Sequence, residues 1–130
     1  MLHAAELPHY ASTRDTRDRL DLLTKGVPVG ARQLRADRIV YHPGDTAAAN
    51  YHTGSQHVFW VLAGTGILHT GSSPVRLEAG TSALVGPGEV HWFENDGDAN
   101  FSFVEFWAPP PTDTVWTVDG DQCTWAPPAS

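Results

Sequence analysis

From residue 33 onward the chain cannot extend far before it meets a turn. Pro43-Gly44-Asp45, Ala63-Gly64-Thr65-Gly66, Thr70-Gly71-Ser72-Ser73-Pro74, Pro87-Gly88 and Asp96-Gly97-Asp98 separate short runs of Val, Ile, Phe, Trp and Tyr. Turn signals recurring about every 8–12 residues, with no helical stripe between them, predict an all-β sandwich or barrel. The spacing predicts strands at 33–41, 47–52, 57–62, 66–70, 74–77, 82–85, 91–95 and 101–107. Short strands joined by tight turns suit a jelly roll or a small closed barrel, which leaves few unpaired edges.

The flanks read differently. Residues 1–11 carry no periodicity and are expected to form an arm. Ser12, three positions before Asp15, resembles a helix start, and Leu20, Leu22 and Leu23 would lie on a short helix over 13–25 that Gly26 and Pro28 stop. The alternating Arg and Asp residues there read as a solvated face. Residues 108–130 open with Pro109-Pro110-Pro111 and close with Pro127-Pro128, a Pro-rich extension. Val115, Trp116, Val118, Cys123 and Trp125 are placed to add one or two strands, packed on the barrel or on a second subunit. The expected organisation is an arm with a short helix (1–32), a barrel (33–107) and a C-terminal extension (108–130).

Charge and composition exclude several partner classes. The formal net charge is −7 over 130 residues, and no Lys or Arg follows Arg76. A nucleic-acid groove needs clustered positive charge to displace counterions, so no nucleic-acid partner is expected. No apolar run approaches the roughly 20 residues of a membrane span, so no membrane partner is expected either. One cysteine, Cys123, excludes an internal disulfide framework and a Cys-based zinc site. Met1 to Glu6 lack a basic segment followed by an apolar one, and a cytoplasmic location is expected.

The chemistry-bearing residues sit in the middle of the chain. Asn50 and His52, two positions apart, share a face of a strand. His57 opens the next apolar run after a Thr-Gly-Ser-Gln turn, and His91 follows the bend at Gly86-Pro87-Gly88. Three imidazoles converging inside a small barrel would make a three-ligand divalent metal site with open positions.

The spacing is similar to a known pattern. Gly44, five residues, Asn50-Tyr51-His52, four residues, His57, six residues and Gly64 resemble the first cupin motif. Gly80, five residues, Gly86-Pro87-Gly88, two residues, His91, three residues and Asn95 resemble the second. The resemblance spans about 33–107 and implies a small single-domain cupin: a jelly-roll barrel with a metal in its mouth, commonly a homodimer. In the family the ligands are two His and a Glu of the first motif and the His of the second. Here His52 and His91 match a ligand type, Asn50 stands in the first His slot, His57 stands in the Glu slot, and Gly86 replaces a proline. The resulting trio of His52, His57 and His91 is similar to the three-histidine cupins, with the histidines placed differently.

These substitutions have consequences. Three neutral imidazoles cancel none of a divalent cation's charge, which favours an anionic substrate or a deprotonated water. Asn50 keeps a carbonyl oxygen and an amide in its slot, to ligate weakly or to contact whatever fills the open position. Glu105, in a strand apolar on both faces, is a candidate general acid or base if it points inward. Arg35, Arg38 and Arg76 are candidate anchors for a substrate carboxylate. Trp60 and Phe93, near the ligands in sequence, are candidate pocket walls, whereas His42 and His69 read as structural.

The expected function is that of a metal-dependent enzyme acting on a small anionic substrate, with Asn50 and Glu105 catalytic. The ion would be zinc, iron, nickel or manganese, with zinc or iron favoured. Iron would support dioxygenase chemistry; the others would support isomerase, lyase or cyclase chemistry, including that of the zinc cupins of hydrazine synthetases. The alternative is a non-catalytic ligand-binding module, either a sensor or a metal-free structural cupin.

Overall fold

The computed structural model describes residues 3–24, 32–118 and 123–127. Within them lie a 3-10 turn (Ala4–Glu6) and the strands β1 (His9–Ser12), β2 (Asp18–Leu23), β3 (Arg35–Tyr41), β4 (Asn50–Tyr51), β5 (Gln56–Ala63), β6 (Thr65–His69), β7 (Val75–Glu78), β8 (Ser82–Val85), β9 (Trp92–Glu94), β10 (Phe101–Ala108), β11 (Val115–Trp116) and β12 (Trp125–Ala126). Each strand predicted between 33 and 107 has its counterpart. The fold is the expected all-β jelly roll.

Alternation decides which side chains enter the barrel. Successive residues of a strand point to opposite faces. On β5, His57, Phe59 and Val61 are buried while Val58, Trp60 and Leu62 are exposed; on β10, Phe101, Phe103, Glu105 and Trp107 are buried while Phe106 is exposed. These two strands are neighbours in an antiparallel sheet of order β12-β1-β2-β3-β10-β5-β8. A three-stranded sheet, β7-β6-β9, packs on it through Leu68, Leu77 and Phe93, which join Ile39, Tyr41, Phe59, Val61, Val85, Phe101 and Phe103 in one apolar core. Each such side chain contributes roughly 1.5–3 kcal/mol by leaving water. Bridges Thr46↔Glu94 and Asn50↔His91 tie the segment 46–50, whose β4 pairs with β11, to the β9 segment.

The helix expected over 13–25 is not formed. Asp18–Leu23 is strand β2, and the only helical turn among the described residues is Ala4–Glu6. Leu20 is buried, and Arg19 and Asp21 pair across the sheet with Ile39 and Asp37. The Asp-Arg-Leu-Asp-Leu order alternates with period two as readily as it fits a helix, and pairing with β3 buries both faces. The expected stops, Gly26 and Pro28, lie outside the described residues. In the tail, Val115 and Trp116 pair with Tyr51 and Asn50, and Trp125 pairs with Ser12, so these segments return to the chain's own sheets.

Two motif positions are explained by the fold itself. Gly64 has φ +74°, and a Cβ there would overlap the Asn100 carbonyl oxygen, so only glycine fits. Asn95, buried, donates through Nδ2 to the carbonyls of Tyr41 (2.9 Å) and Ala99 (2.8 Å) and accepts from the Gly97 N–H (3.0 Å). It fastens the turn before β10. No helix among the described residues is long and apolar enough to cross a membrane.

Candidate metal centre

His57 is delivered by the inner face of β5, His91 by the residue preceding β9, and His52 by the residue following β4. The Asn50↔His91 bridge and the Gly88 N–H bond to the His52 carbonyl (2.8 Å) lock the last two segments together. All three rings are buried, and one ligating atom from each lies within 4.8 Å of the others. The closest pair of ring centroids, His57 and His91, is 4.7 Å apart.

The hydrogen bonds fix which nitrogens remain available. Nδ1 of His52 donates to the Asp113 carbonyl (2.8 Å), and Nδ1 of His91 donates to the Glu89 carbonyl (2.9 Å). Each bond sets the Nδ1–H tautomer and leaves the Nε2 lone pair free, the usual outer support of a ligating imidazole. His57 differs: its Nδ1 is buried without a hydrogen-bond partner, and the nearest acceptor is Glu105 Oε2 at 3.8 Å. Burial disfavours the charged imidazole and lowers all three pKa values, to about 4 for His57 and His91. The rings are therefore neutral at pH 7, as ligands must be. Donor type, tautomer and convergence all fit a divalent cation.

Beside the histidines lies an acidic pair that sequence reading found only in half. Glu105 points inward, as considered, and its cross-strand partner is Asp37. Both are buried, and burial raises both pKa values; the neighbouring Glu105 charge raises that of Asp37 further. The two carboxyl groups are close enough to couple, and burial together with the Glu105 charge favours the protonated form of Asp37. The alternation Arg35, Asp37, Ile39 and Tyr41 was visible in the sequence, but only the register of β3 on β10 reveals the pairing.

A cavity of about 380 Å³ opens on these groups. Asn50, His52, His91, Asp37 and Glu105 line it, as do Arg17, Arg19 and Arg35. Asn50 is buried and its Nδ2 donates to the Ala48 carbonyl (2.8 Å). Of the candidate anchors, Arg35 alone reaches the cavity. Arg76 is exposed and ion-paired with Asp96 (2.7 Å), and Arg38 pairs across the sheet with Val104 on the outer face. Phe93 lines the cavity as expected; Trp60 does not, because alternation on β5 turns it outward, 47% exposed. Its place is taken by Trp107, whose indole stacks on His57 at 4.1 Å. His42 bonds Asp18 and Asn100, and His69 bonds Glu94 and stacks on Trp92; both are structural.

Known proteins share this fold. A curated oxalate-binding protein from Thermotoga maritima is 28% identical over 67 residues, covering 52% of this chain and 55% of its own length, so the chain spans about half the length of that relative. The crystal structure of a predicted oxalate decarboxylase from Thermotoga maritima superposes with a TM-score of 0.74 at 21% identity, over 85% of this chain and 99% of that one. A sugar phosphate isomerase of the cupin superfamily from Silicibacter pomeroyi superposes with a TM-score of 0.78 at 18% identity, over 98% of this chain and 92% of that one. The solved structures, at these identities, show the shared fold. The family model for the Cupin domain matches residues 37–107, more than half of the chain, and the chain belongs to that family.

Proposed function

We propose that the chain is a metal-dependent cupin enzyme that holds a divalent cation on Nε2 of His52, His57 and His91 and acts on a small anionic substrate. The observation that carries this reading is the convergence of three buried, neutral imidazoles, two of them oriented by backbone carbonyls. A bound zinc or iron ion would supply Lewis acidity and open positions for substrate.

The chain's own residues supply the rest. The three imidazoles leave the cation's charge uncompensated, so an anion is the ligand best matched to the site. An oxalate-binding relative supports a small anionic ligand. Asn50, lining the cavity beside the histidines, presents its side-chain oxygen to bound substrate. Glu105 accepts or returns a proton within the cavity, and Asp37, which shares a proton with it, replenishes that proton from the side away from the histidines. The set suits isomerase, lyase or cyclase chemistry as well as dioxygenase chemistry.

The functional unit we propose is a homodimer. Leu84, Val58 and Phe106 are register partners on β8, β5 and β10, and with Trp60 and Leu62 they expose a continuous apolar face. Contiguous exposed apolar patches often mark interaction sites, and a sheet face of this kind suits a self-complementary contact with a second copy.

Metal analysis of protein purified without added metal tests the enzymatic reading. About one ion per chain in the native protein, lost in His57→Ala while the fold persists by circular dichroism, is the expected result. Substoichiometric metal that does not change in His57→Ala would contradict it.

A further inference from the structure

The C-terminal extension runs back along the segment that carries His52. Residues 109–117 lie antiparallel to 49–55. Ser55 Oγ donates to the Pro109 carbonyl (2.7 Å), Val115 and Trp116 on β11 pair with Tyr51 and Asn50 on β4, and the Thr117 N–H donates to the Ala49 carbonyl (3.1 Å). The family match ends at residue 107, so this strip lies outside it. The strip nonetheless walls the cavity with Pro111, Thr114 and Trp116, and it supplies the Asp113 carbonyl that takes the Nδ1–H of His52.

That carbonyl is available because the ladder is interrupted at Asp113. In an antiparallel pair, opposed residues that exchange main-chain hydrogen bonds recur at every second position. Thr117 opposite Ala49 is such a pair, so the register of β11 on β4 brings Val115 to Tyr51 and Asp113 to Thr53. A regular ladder would give the Thr53 N–H to the Asp113 carbonyl. Here the side chain takes it instead: the Thr53 N–H donates to Asp113 Oδ1 (3.2 Å), and Thr53 Oγ1 donates to Oδ2 (2.8 Å). A carboxylate has acceptor sites for both donors, and Asp and Asn side chains readily stand in for a main-chain acceptor. The main-chain oxygen is thereby left to the imidazole, 2.8 Å from Nδ1, with Thr114 Oγ1 a longer contact at 3.3 Å.

We propose that Asp113 is a positioning residue of the metal centre: its side chain satisfies Thr53, so that its carbonyl holds His52 in the Nδ1–H tautomer with Nε2 free for the cation. The proposal deepens the reading of the histidines as a metal centre and rests on it. Without the carboxylate, the Thr53 N–H and the His52 Nδ1–H compete for one carbonyl. The imidazole can then move its proton to Nε2, the atom that must stay unprotonated to ligate. An amide oxygen at position 113 still accepts from Thr53, so Asp113→Asn preserves the arrangement that Asp113→Ala removes. Ser55 supplies the contrast, because it fastens the same strip through Pro109 and bonds neither Thr53 nor His52.

The test uses the full chain and the variants Asp113→Ala, Asp113→Asn and Ser55→Ala. Long-range proton–nitrogen NMR spectra of the metal-free proteins read the His52 tautomer, and titration with cobalt(II), followed by its d–d absorption, reads the site. The native protein and Asp113→Asn are expected to show the Nδ1–H tautomer. Their cobalt affinities should agree within about threefold, since Asp113 is exposed and its charge is screened. Asp113→Ala is expected to show mixed tautomers and to bind cobalt at least about tenfold more weakly, the loss typical of removing an outer partner of a ligating histidine. Ser55→Ala should lower the melting temperature and keep the native tautomer and cobalt affinity. Native tautomer or native cobalt affinity in Asp113→Ala overturns the proposal, as does an Asp113→Asn protein that behaves like Asp113→Ala, or an equal loss of cobalt in Ser55→Ala. A native chain that binds no cobalt overturns the three-histidine reading, and the tautomer spectra then still decide whether Asp113 governs His52.

Discussion

Glu105 Oε2 lies 3.8 Å from Nδ1 of His57, and that nitrogen is buried without a hydrogen-bond partner. His52 and His91 use their Nδ1–H groups on backbone carbonyls. His57 makes no such bond, and Glu105 is a carboxylate beside it, beyond hydrogen-bond distance. At that distance the carboxylate acts on the imidazole through its charge and forms no hydrogen bond with it.

Glu105→Gln should therefore weaken the site without emptying it. Because Glu105 acts by charge alone, the loss should be smaller than the about 10–100-fold typical of removing a hydrogen-bonded outer-shell partner. Competition with a chelator would measure it. An affinity equal to that of the native protein would show that Glu105 does not support His57.

Acid should destabilise the metal-free protein. Burial lowers the pKa of His57 and His91 to about 4, below the ordinary value of 6.5 for the unfolded chain. Between these values the unfolded state binds more protons, so stability is complete above pH 6.5 and is lost as the pH falls toward 4. Each imidazole contributes on the order of 3 kcal/mol across that window. Urea unfolding at stepped pH in the presence of EDTA checks this, and His57→Asn should flatten the slope. A stability that is level from pH 7 to 4.5 would contradict the burial of these rings in neutral form.

Asn95→Ala should cost stability and leave the metal in place. Asn95, itself buried, satisfies two carbonyls and one N–H at the turn that leads into β10, and none of its bonds reaches a histidine. Removing a buried polar hub costs about 1–3 kcal/mol. Thermal unfolding together with metal content separates this structural role from a role in the site.

Most of the barrel was legible in the sequence because its strands alternate and its turns are marked by glycine and proline. The three histidines were legible for the same reason: their spacing is that of a motif, and the motif's glycines and Asn95 have structural duties that keep the spacing fixed. What escaped depends on register. Asp37 is an ordinary strand residue until β3 is laid on β10, and Trp107 is an ordinary core aromatic until it is found on the ring of His57. Within the helix expected over 13–25, the leucines of 18–23 fit either period, and sheet pairing decides between them. Trp60 shows the limit of proximity in sequence: three residues from His57, it points away from the site.

Trp60→Glu should dissociate the proposed dimer. The side chain lies on the exposed apolar face of β5, so a charge there opposes contact with a second copy while leaving the interior untouched. Light scattering coupled to size exclusion should report a dimer for the native chain and a monomer for the variant. A native monomer at the same concentration would remove this interface.

The central claim is most directly measured by a crystal structure of the purified protein with the metal assigned by anomalous scattering. The expected result is one peak bonded to Nε2 of His52, His57 and His91 at about 2.0–2.2 Å, with open positions facing the cavity. A peak held by other residues, or a fully ordered site in which the His57 ring turns from the cation, would contradict the account.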